Sequence, residues 1–379
     1  MSSPLGKLSP EQFLQEYWQK KPCLIRQAIT DFKPLIDADD LAGLACEEMA
    51  ESRLITGSVE TADWAVRSGP FTETDFARLP DRDWTLLVQD VEKHYAPLQA
   101  LMQQFSFIPN WRLDDLMVSF AVTGGSVGPH VDQYDVFLLQ AEGSRRWQIA
   151  RSFDAELLED CALNVLQHFT PEQEWVLEAG DMLYLPPNVA HHGVAMEPGM
   201  TWSIGSRAPS GADLLQGFGE WLAFSDDGGG RFSDPNLKTK NRAGEINSEA
   251  LQQLRELMLN SIDGNTTLDT YLATFMSRFR LAHDPMPPTK LISPEKLLAE
   301  IKEGARLFRN PWTRLTWIEL NNDARLFAAG QAYDCSIRLA ESLCEREQAG
   351  VNADMLDQRA LDTLTKLVNN GHFMLIAAE

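Results

Sequence analysis

No two of the five cysteines (Cys23, Cys46, Cys161, Cys335 and Cys344) are spaced as C-x-x-C, and their number is odd. That argues against a disulfide framework or a zinc knuckle and fits reduced thiols in a cytoplasm. No apolar run reaches the roughly 18 residues that a bilayer span requires. The opening MSSPLGKLSPEQF has no basic segment followed by an apolar one, so neither a membrane nor a secreted protein is expected. The G-x-G-x-x-G, Walker A and G-x-S-x-G patterns are also missing, which leaves nucleotide and serine-hydrolase chemistry without a foothold. Positive charge is scarce: 33 Lys and Arg stand against 55 Asp and Glu, for a formal charge of -22. Such a surface repels nucleic acid phosphate and attracts cationic partners, so a basic protein substrate fits and direct DNA binding does not.

At 379 residues the chain exceeds a comfortable single core, and two or three domains are expected. SPEQFLQEYWQKKPCLIRQAI reads as a helix capped by Ser9, with Glu11 in its first turn, followed by a strand around PCLIRQA. From about 110 to 208 the texture is β: DLMVSFAVTGG, YDVFLLQ, RRWQIA, DMLYLPP and TWSIGSRAP are short runs parted by Gly, Pro and Asn turns. Many short strands suggest a sandwich or barrel. After APSG, the runs ADLLQGFGEWLAF, SEALQQLRELMLNSI and TTLDTYLATFMSRFRLA carry apolar residues at helical spacing. A loop is expected at 225–245 and a proline-broken linker at HDPMPPTK. The tail mixes helices (SPEKLLAEIKEG, YDCSIRLAESLCERE, MLDQRALDTLTKLVNNG) with strands (RLTWIEL, RLFAAG, HFMLIAA), compatible with a winged-helix outline. From residue 285 onward it holds 11 Lys and Arg against 13 Asp and Glu, so it reads as a protein-contact or packing module rather than a duplex binder.

Charge inside an apolar β run needs a reason, and GPHVDQYDVF (128–137) has it twice over in His130 and Asp132. On an extended strand, residues i and i+2 point to one side about 6.6 Å apart. A second imidazole from elsewhere would complete a facial triad, which holds iron(II) and leaves about three positions open. DMLYLPPNVAHHGV offers two, His191 and His192, behind a turn that limits where the ring points. Alone, His-x-Asp is more simply a hydrogen-bonded pair; the second element shifts the balance to metal.

GPHVDQYDVFLLQAEGSRRWQI together with EAGDMLYLPPNVAHHGV resembles the JmjC-type iron(II) and 2-oxoglutarate oxygenases. Within them the chain is similar to the bacterial ribosomal oxygenases, over nearly its whole length. The resemblance implies an α+β fold: a JmjC/cupin-like double-stranded β-helix over 1–210, a helical dimerisation region over 211–284 and a winged-helix-like domain over 285–379. It implies iron(II) on His130, Asp132 and His191, with 2-oxoglutarate and dioxygen as co-substrates and His192 a spectator. It places Arg145 on the 5-carboxylate of 2-oxoglutarate and Ser119 beside it, with Ser203 and Thr201 as lesser candidates. Some relatives carry a threonine where this chain has Val127, which leaves the hydroxyl partner of that carboxylate open. Asp115 and Tyr134 match positions lining a substrate arginine, and Met117 shares a strand face with Asp115 and Ser119. The implied activity is hydroxylation of an arginine of a large-subunit ribosomal protein by a cytoplasmic homodimer. A histidine hydroxylase or lysine demethylase on the same scaffold is the rival enzyme; a non-catalytic cupin-like binding module is the rival of another class.

Overall fold

The computed structural model describes residues 3–61, 63–224, 230–236, 244–262, 266–345 and 348–377. The chain divides into two compact units, residues 1–208 and 209–379. The first begins with α1 (Pro10–Glu16), whose capping box pairs Ser9 with Gln12, and β1 (Cys23–Ile25). Next come α2 (Ala38–Leu44), β2 (Ser52–Thr56), β3 (Ala65–Ser68), α3 (Glu73–Ala77), β4 (Trp84–Val88), α4 (Val91–His94) and α5 (Gln99–Gln103). Sequence reading left this stretch blank. Its elements are too short for periodicity to show, although capping boxes at Asp37 and Thr72 mark two helix starts. The β region then supplies β5 (Leu113–Ala121), β6 (His130–Val131), β7 (Val136–Glu142), β8 (Arg145–Ala150), β9 (Gln173–Leu177), β10 (Met182–Leu185), β11 (Ala190–Ala195) and β12 (Gly199–Ser206).

Among the described residues of the first unit, two antiparallel sheets result. One has eight strands in the order β1-β10-β7-β12-β5-β4-β2-β3, the other four in the order β6-β11-β8-β9. Side-chain alternation divides the large sheet's residues between two environments. Leu116, Val118, Phe137, Leu139, Met200, Trp202 and Ile204 turn outward, into a core shared with the N-terminal helices. Val136 and Leu138 turn inward and pack with Trp147 and Ile149 of the small sheet. Apolar on both faces, these strands read as continuous hydrophobic runs, and the inward polar residues stand out: Ser119, Gln140, Thr201 and Ser203 are all buried. Between Leu116 and Leu113 the β5–β12 register shifts, with three steps on β5 against two on β12. The extra residue falls at Asp114–Asp115, a bulge that interrupts the ladder there.

The second unit contains α6 (Gly211–Ala223), α7 (Ser248–Ile262) and α8 (Thr266–Arg278). α8 stops short of the expected 282 because Arg280 turns left-handed (φ 55). The expected loop at 225–245 lies partly outside the described residues; its described parts form neither helix nor strand. The remainder is α9 (Pro294–Lys302), β13 (Arg306–Arg309), β14 (Leu315–Leu320), β15 (Asp323–Ala328), β16 (Gln331–Cys335), α10 (Ile337–Glu345), α11 (Gln358–Asn369) and β17 (Phe373–Ile376). Helices and strands enclose a core including Leu297, Leu326, Leu339, Leu364 and Phe373. β13, four residues flanked by arginines, shows no strand pattern in the sequence, and Tyr333–Cys335, expected as the start of a helix, instead belong to β16, the helix beginning at Ile337.

Phe13, fully buried, joins α1 to the large sheet, with ring centroids 4.8 Å from Tyr184 and 5.4 Å from Phe137. Phe13→Ala is expected to lower the unfolding free energy of the first unit by about 3–5 kcal/mol, read from urea denaturation.

Candidate active site

β11 runs between β6 and β8, and its register sets His191 opposite His130 on one side and Ile149 on the other. The two rings lie 4.2 Å apart between centroids. Asp132 Oδ2 stands 3.6 Å from His191 Nε2 and 4.0 Å from His130 Nε2. Each Nδ1 is held by a backbone carbonyl, of Gly128 for His130 and of Val189 for His191, both at 2.9 Å. Those carbonyls accept an Nδ1–H and leave each Nε2 lone pair free toward the shared point. The ligand atoms of the three side chains lie within 4.8 Å of one another, and they form the one such cluster among the described residues. Burial, and then His130, lower the His191 pKa to about 4, which keeps the ring neutral and able to ligate. Two imidazoles and one carboxylate with fixed tautomers fit iron(II). His192, one residue on, faces away: it pairs opposite Gln148 and meets the Phe169 ring edge-on at 6.1 Å. It is buried, not at the surface.

Arg145, Trp147 and Ile149 alternate onto the same face of β8 as His191 on β11. The Arg145 guanidinium lies 5.3 Å over the Trp147 ring, and the Trp147 ring is 6.0 Å from that of His191. Gly193 opposes Trp147, where a Cβ would sit 2.7 Å from the ring, so only glycine leaves room there. Arg145 is 5 % exposed, and burial lowers its pKa to about 10, so it is cationic at neutral pH. Its Nη1 donates to Thr201 Oγ1 at 3.1 Å and Ser119 Oγ at 3.5 Å, and its Nε has no partner. Among the described residues no carboxylate pairs with it. A buried cation facing hydroxyls alone is an anion site. Thr201, placed lower than Ser119 by sequence, makes the shorter contact, and Gln140 Oε1 accepts from its hydroxyl at 3.0 Å. No polar contact links Ser203 to Arg145. Val127 packs near Trp64 and Met117, so the hydroxyls at Arg145 come from Thr201 and Ser119.

Asp115 lies on the inward face of β5, half-buried. Burial, then Glu92, Asp114 and Asp90, raise its pKa well above the usual carboxylate range, against a smaller pull from Lys93. A cation would relieve that repulsion. Glu92 is fully enclosed, accepts from the Leu116 N–H at 2.9 Å, and is pushed up to about 7. Tyr134 packs beside Val136 and Trp147, and Met117 beside Ile55 and Trp64. Sequence reasoning missed Asp135. Wholly buried, it accepts from Tyr184 Oη at 2.6 Å, Gln19 Nε2 at 2.9 Å and Arg112 Nη2 at 3.3 Å. Its signal in the sequence was only a charge next to the apolar run of β7, at the parity opposite to Val136 and Leu138.

The JmjC domain family matches residues 100–214, and the ROXA-like winged helix family matches 251–374. The chain is 34% identical over 369 residues to the ribosomal protein uL16 3-hydroxylase of Escherichia coli, covering 95% of this chain and 96% of that protein. It is 32% identical over 345 residues to a probable ribosomal oxygenase of Haemophilus influenzae, covering 86% and 82%. A solved structure of the Escherichia coli ribosomal oxygenase YcfD with cobalt and 2-oxoglutarate superposes with TM-score 0.84 at 33% identity, over 97% of this chain and 98% of that one. The chain belongs to the JmjC-domain ribosomal oxygenases, on a double-stranded β-helix with a C-terminal winged helix. It is a 2-oxoglutarate-dependent oxygenase using iron(II) and dioxygen, which favours the catalytic reading over a non-catalytic binding module.

Because the folded-state pKa of Glu92 lies above its ordinary 4.5, its contribution to stability is full below about pH 4.5 and is lost as pH rises through 7. Glu92→Gln keeps an oxygen for Leu116 without the charge. Thermal melts are expected to show the variant equal to the parent near pH 4.5 and more stable at pH 8, by on the order of 3 kcal/mol.

Proposed function

We propose that the chain hydroxylates an arginine side chain of the large-subunit ribosomal protein uL16, in the cytoplasm. The observation that carries the substrate class is Asp115: an inward-facing carboxylate crowded by three acidic groups, with only the smaller pull of Lys93 against them and no ion pair among the described residues, is a seat for guanidinium. Tyr134 is the aromatic face expected against the arginine methylenes and charge. Met117, between Asp115 and Ser119 on that face, supplies apolar packing for the same side chain.

His130, Asp132 and His191 would hold iron(II). With the metal bound, 2-oxoglutarate is oxidatively decarboxylated to succinate and carbon dioxide as one oxygen atom of dioxygen enters a C–H bond. The protein's own part is placement. Arg145 takes the 5-carboxylate of 2-oxoglutarate, with Thr201 and Ser119 completing the donor set and Ser203 lining the wall nearby. Trp147, stacked under the guanidinium, screens that ion pair from water and strengthens it. Asp115 orients the substrate so that one methylene faces the triad. The formal charge of -22 accelerates encounter with a basic ribosomal protein.

Two copies are proposed to pair through α7. The helix buries none of its residues, and Leu251, Leu254, Met258 and Leu259 form an exposed apolar stripe. Sedimentation is expected to find a dimer, and Leu254→Glu with Met258→Glu a monomer; a monomeric parent overturns the pairing.

Incubation with recombinant uL16, iron(II) and 2-oxoglutarate, followed by peptide mass spectrometry, is expected to add the mass of one oxygen to an arginine. Addition to a histidine instead, or loss of a lysine methyl, would assign the rival chemistries. His130→Ala is expected to abolish succinate formation. Arg145→Met is expected to raise KM for 2-oxoglutarate about a hundredfold, the loss of a charge-assisted pair of about 3 kcal/mol.

A further inference from the structure

The Asp115 carboxylate does not stand by itself. With the Gln89 amide oriented to satisfy both neighbours, its nitrogen donates to Asp115 Oδ2 at 2.6 Å and its oxygen accepts from Arg53 Nη2 at 3.2 Å. The Asp90 N–H adds a long contact to the same Oδ2 at 3.5 Å. Oδ1 has no donor among the described residues. Beside it lies Gly205, where a Cβ would come within 3.3 Å of that oxygen. The arrangement spans neighbouring strands: Arg53 is on β2, Gln89 follows β4, Asp115 is on β5 and Gly205 on β12. The Gln89 N–H is itself tied to the Glu51 carbonyl at 2.9 Å, which fixes the backbone from which the amide reaches.

Arg53 is half-buried, and its Nε has no partner. No carboxylate pairs with it among the described residues, so its strongest polar outlet near the site is the Gln89 oxygen. A guanidinium at one end of a primary amide polarises the nitrogen at the other, strengthening the donation to Oδ2. One carboxylate oxygen is thereby engaged, and the other is left toward the gap that a glycine keeps open.

We infer that Gln89, backed by Arg53, is a positioning residue that fixes the Asp115 carboxylate for a cationic substrate side chain. This rests on Asp115 binding the substrate arginine. Gln89 touches neither substrate nor co-substrate and acts through Asp115 alone. Its removal therefore changes the KM for the protein substrate and spares the KM for 2-oxoglutarate.

The experiment compares Gln89→Met, Asp115→Asn and the double variant in the full chain, with recombinant uL16 as substrate. Gln89→Met, close in length but without a donor, is expected to raise the uL16 KM about tenfold, as loss of a hydrogen bond to a charged group worth about 1.5 kcal/mol requires. The KM for 2-oxoglutarate stays within about twofold, and adding Gln89→Met to Asp115→Asn has no further effect. If Asp115→Asn raises the uL16 KM and Gln89→Met does not, the inference falls while the substrate reading stands. If the Gln89 effect adds in full on the Asp115→Asn background, Gln89 is merely structural and the inference falls. If Asp115→Asn leaves the uL16 KM unchanged, both fall together. Should Gln89→Met fail to fold, Arg53→Met reports on the same chain of contacts: a rise of about threefold supports it and no rise overturns it.

Discussion

The register of β11 between β6 and β8 governs the rest of the site. In that register His191 lies opposite His130, and Gly193 and Ala195 lie opposite Trp147 and Arg145. A slip of one residue would exchange His191 for His192 and turn every side chain of the strand to the other face. The register is held from both ends. The Asn188 N–H, just before the strand, donates to the Asp132 carbonyl at 2.9 Å, and at the strand's end Ala195 donates to the Gly125 carbonyl at 3.0 Å and accepts from the Gly124 N–H at 2.8 Å, in the chain after β5. Metal ligands and anion site are thus two readings of one pairing, four ladder positions apart.

Two charges are buried or half-buried there with no ion pair among the described residues: the Arg145 cation, and the Asp115 carboxylate, which feels only a minor pull from Lys93. Each costs free energy in the folded state that a ligand of opposite sign recovers. This is the expected compromise at a functional site, where stability is surrendered for binding. The surrounding cores supply the surplus: outward-facing Phe137, Trp202 and Ile204 are fully buried and pack against the N-terminal helices.

The meeting of His130, Asp132 and His191 was legible because its pattern is local: His130 and Asp132 sit at i and i+2, and His191 follows a proline-fixed turn. The long helices, α7 above all, were legible because fifteen residues give a period room to repeat. The N-terminal run of short elements was not, since a helix of four or five residues owes its existence to tertiary packing. Thr201 was undervalued because only the β12–β5 pairing sets it opposite Ser119 and hence under Arg145. The role of Asp135 was illegible for a similar reason: its donors, Gln19, Arg112 and Tyr184, come from three distant segments.

That last carboxylate bears on metal selectivity. An aspartate three positions beyond a ligating one is close enough in sequence to compete for the ion. A phenol, an amide and a guanidinium engage both of its oxygens and hold the carboxylate in place, taking three of about four lone-pair sites. An iron(II) ion on the triad would therefore find Asp135 already engaged elsewhere, and its remaining positions would be open to small diffusible molecules.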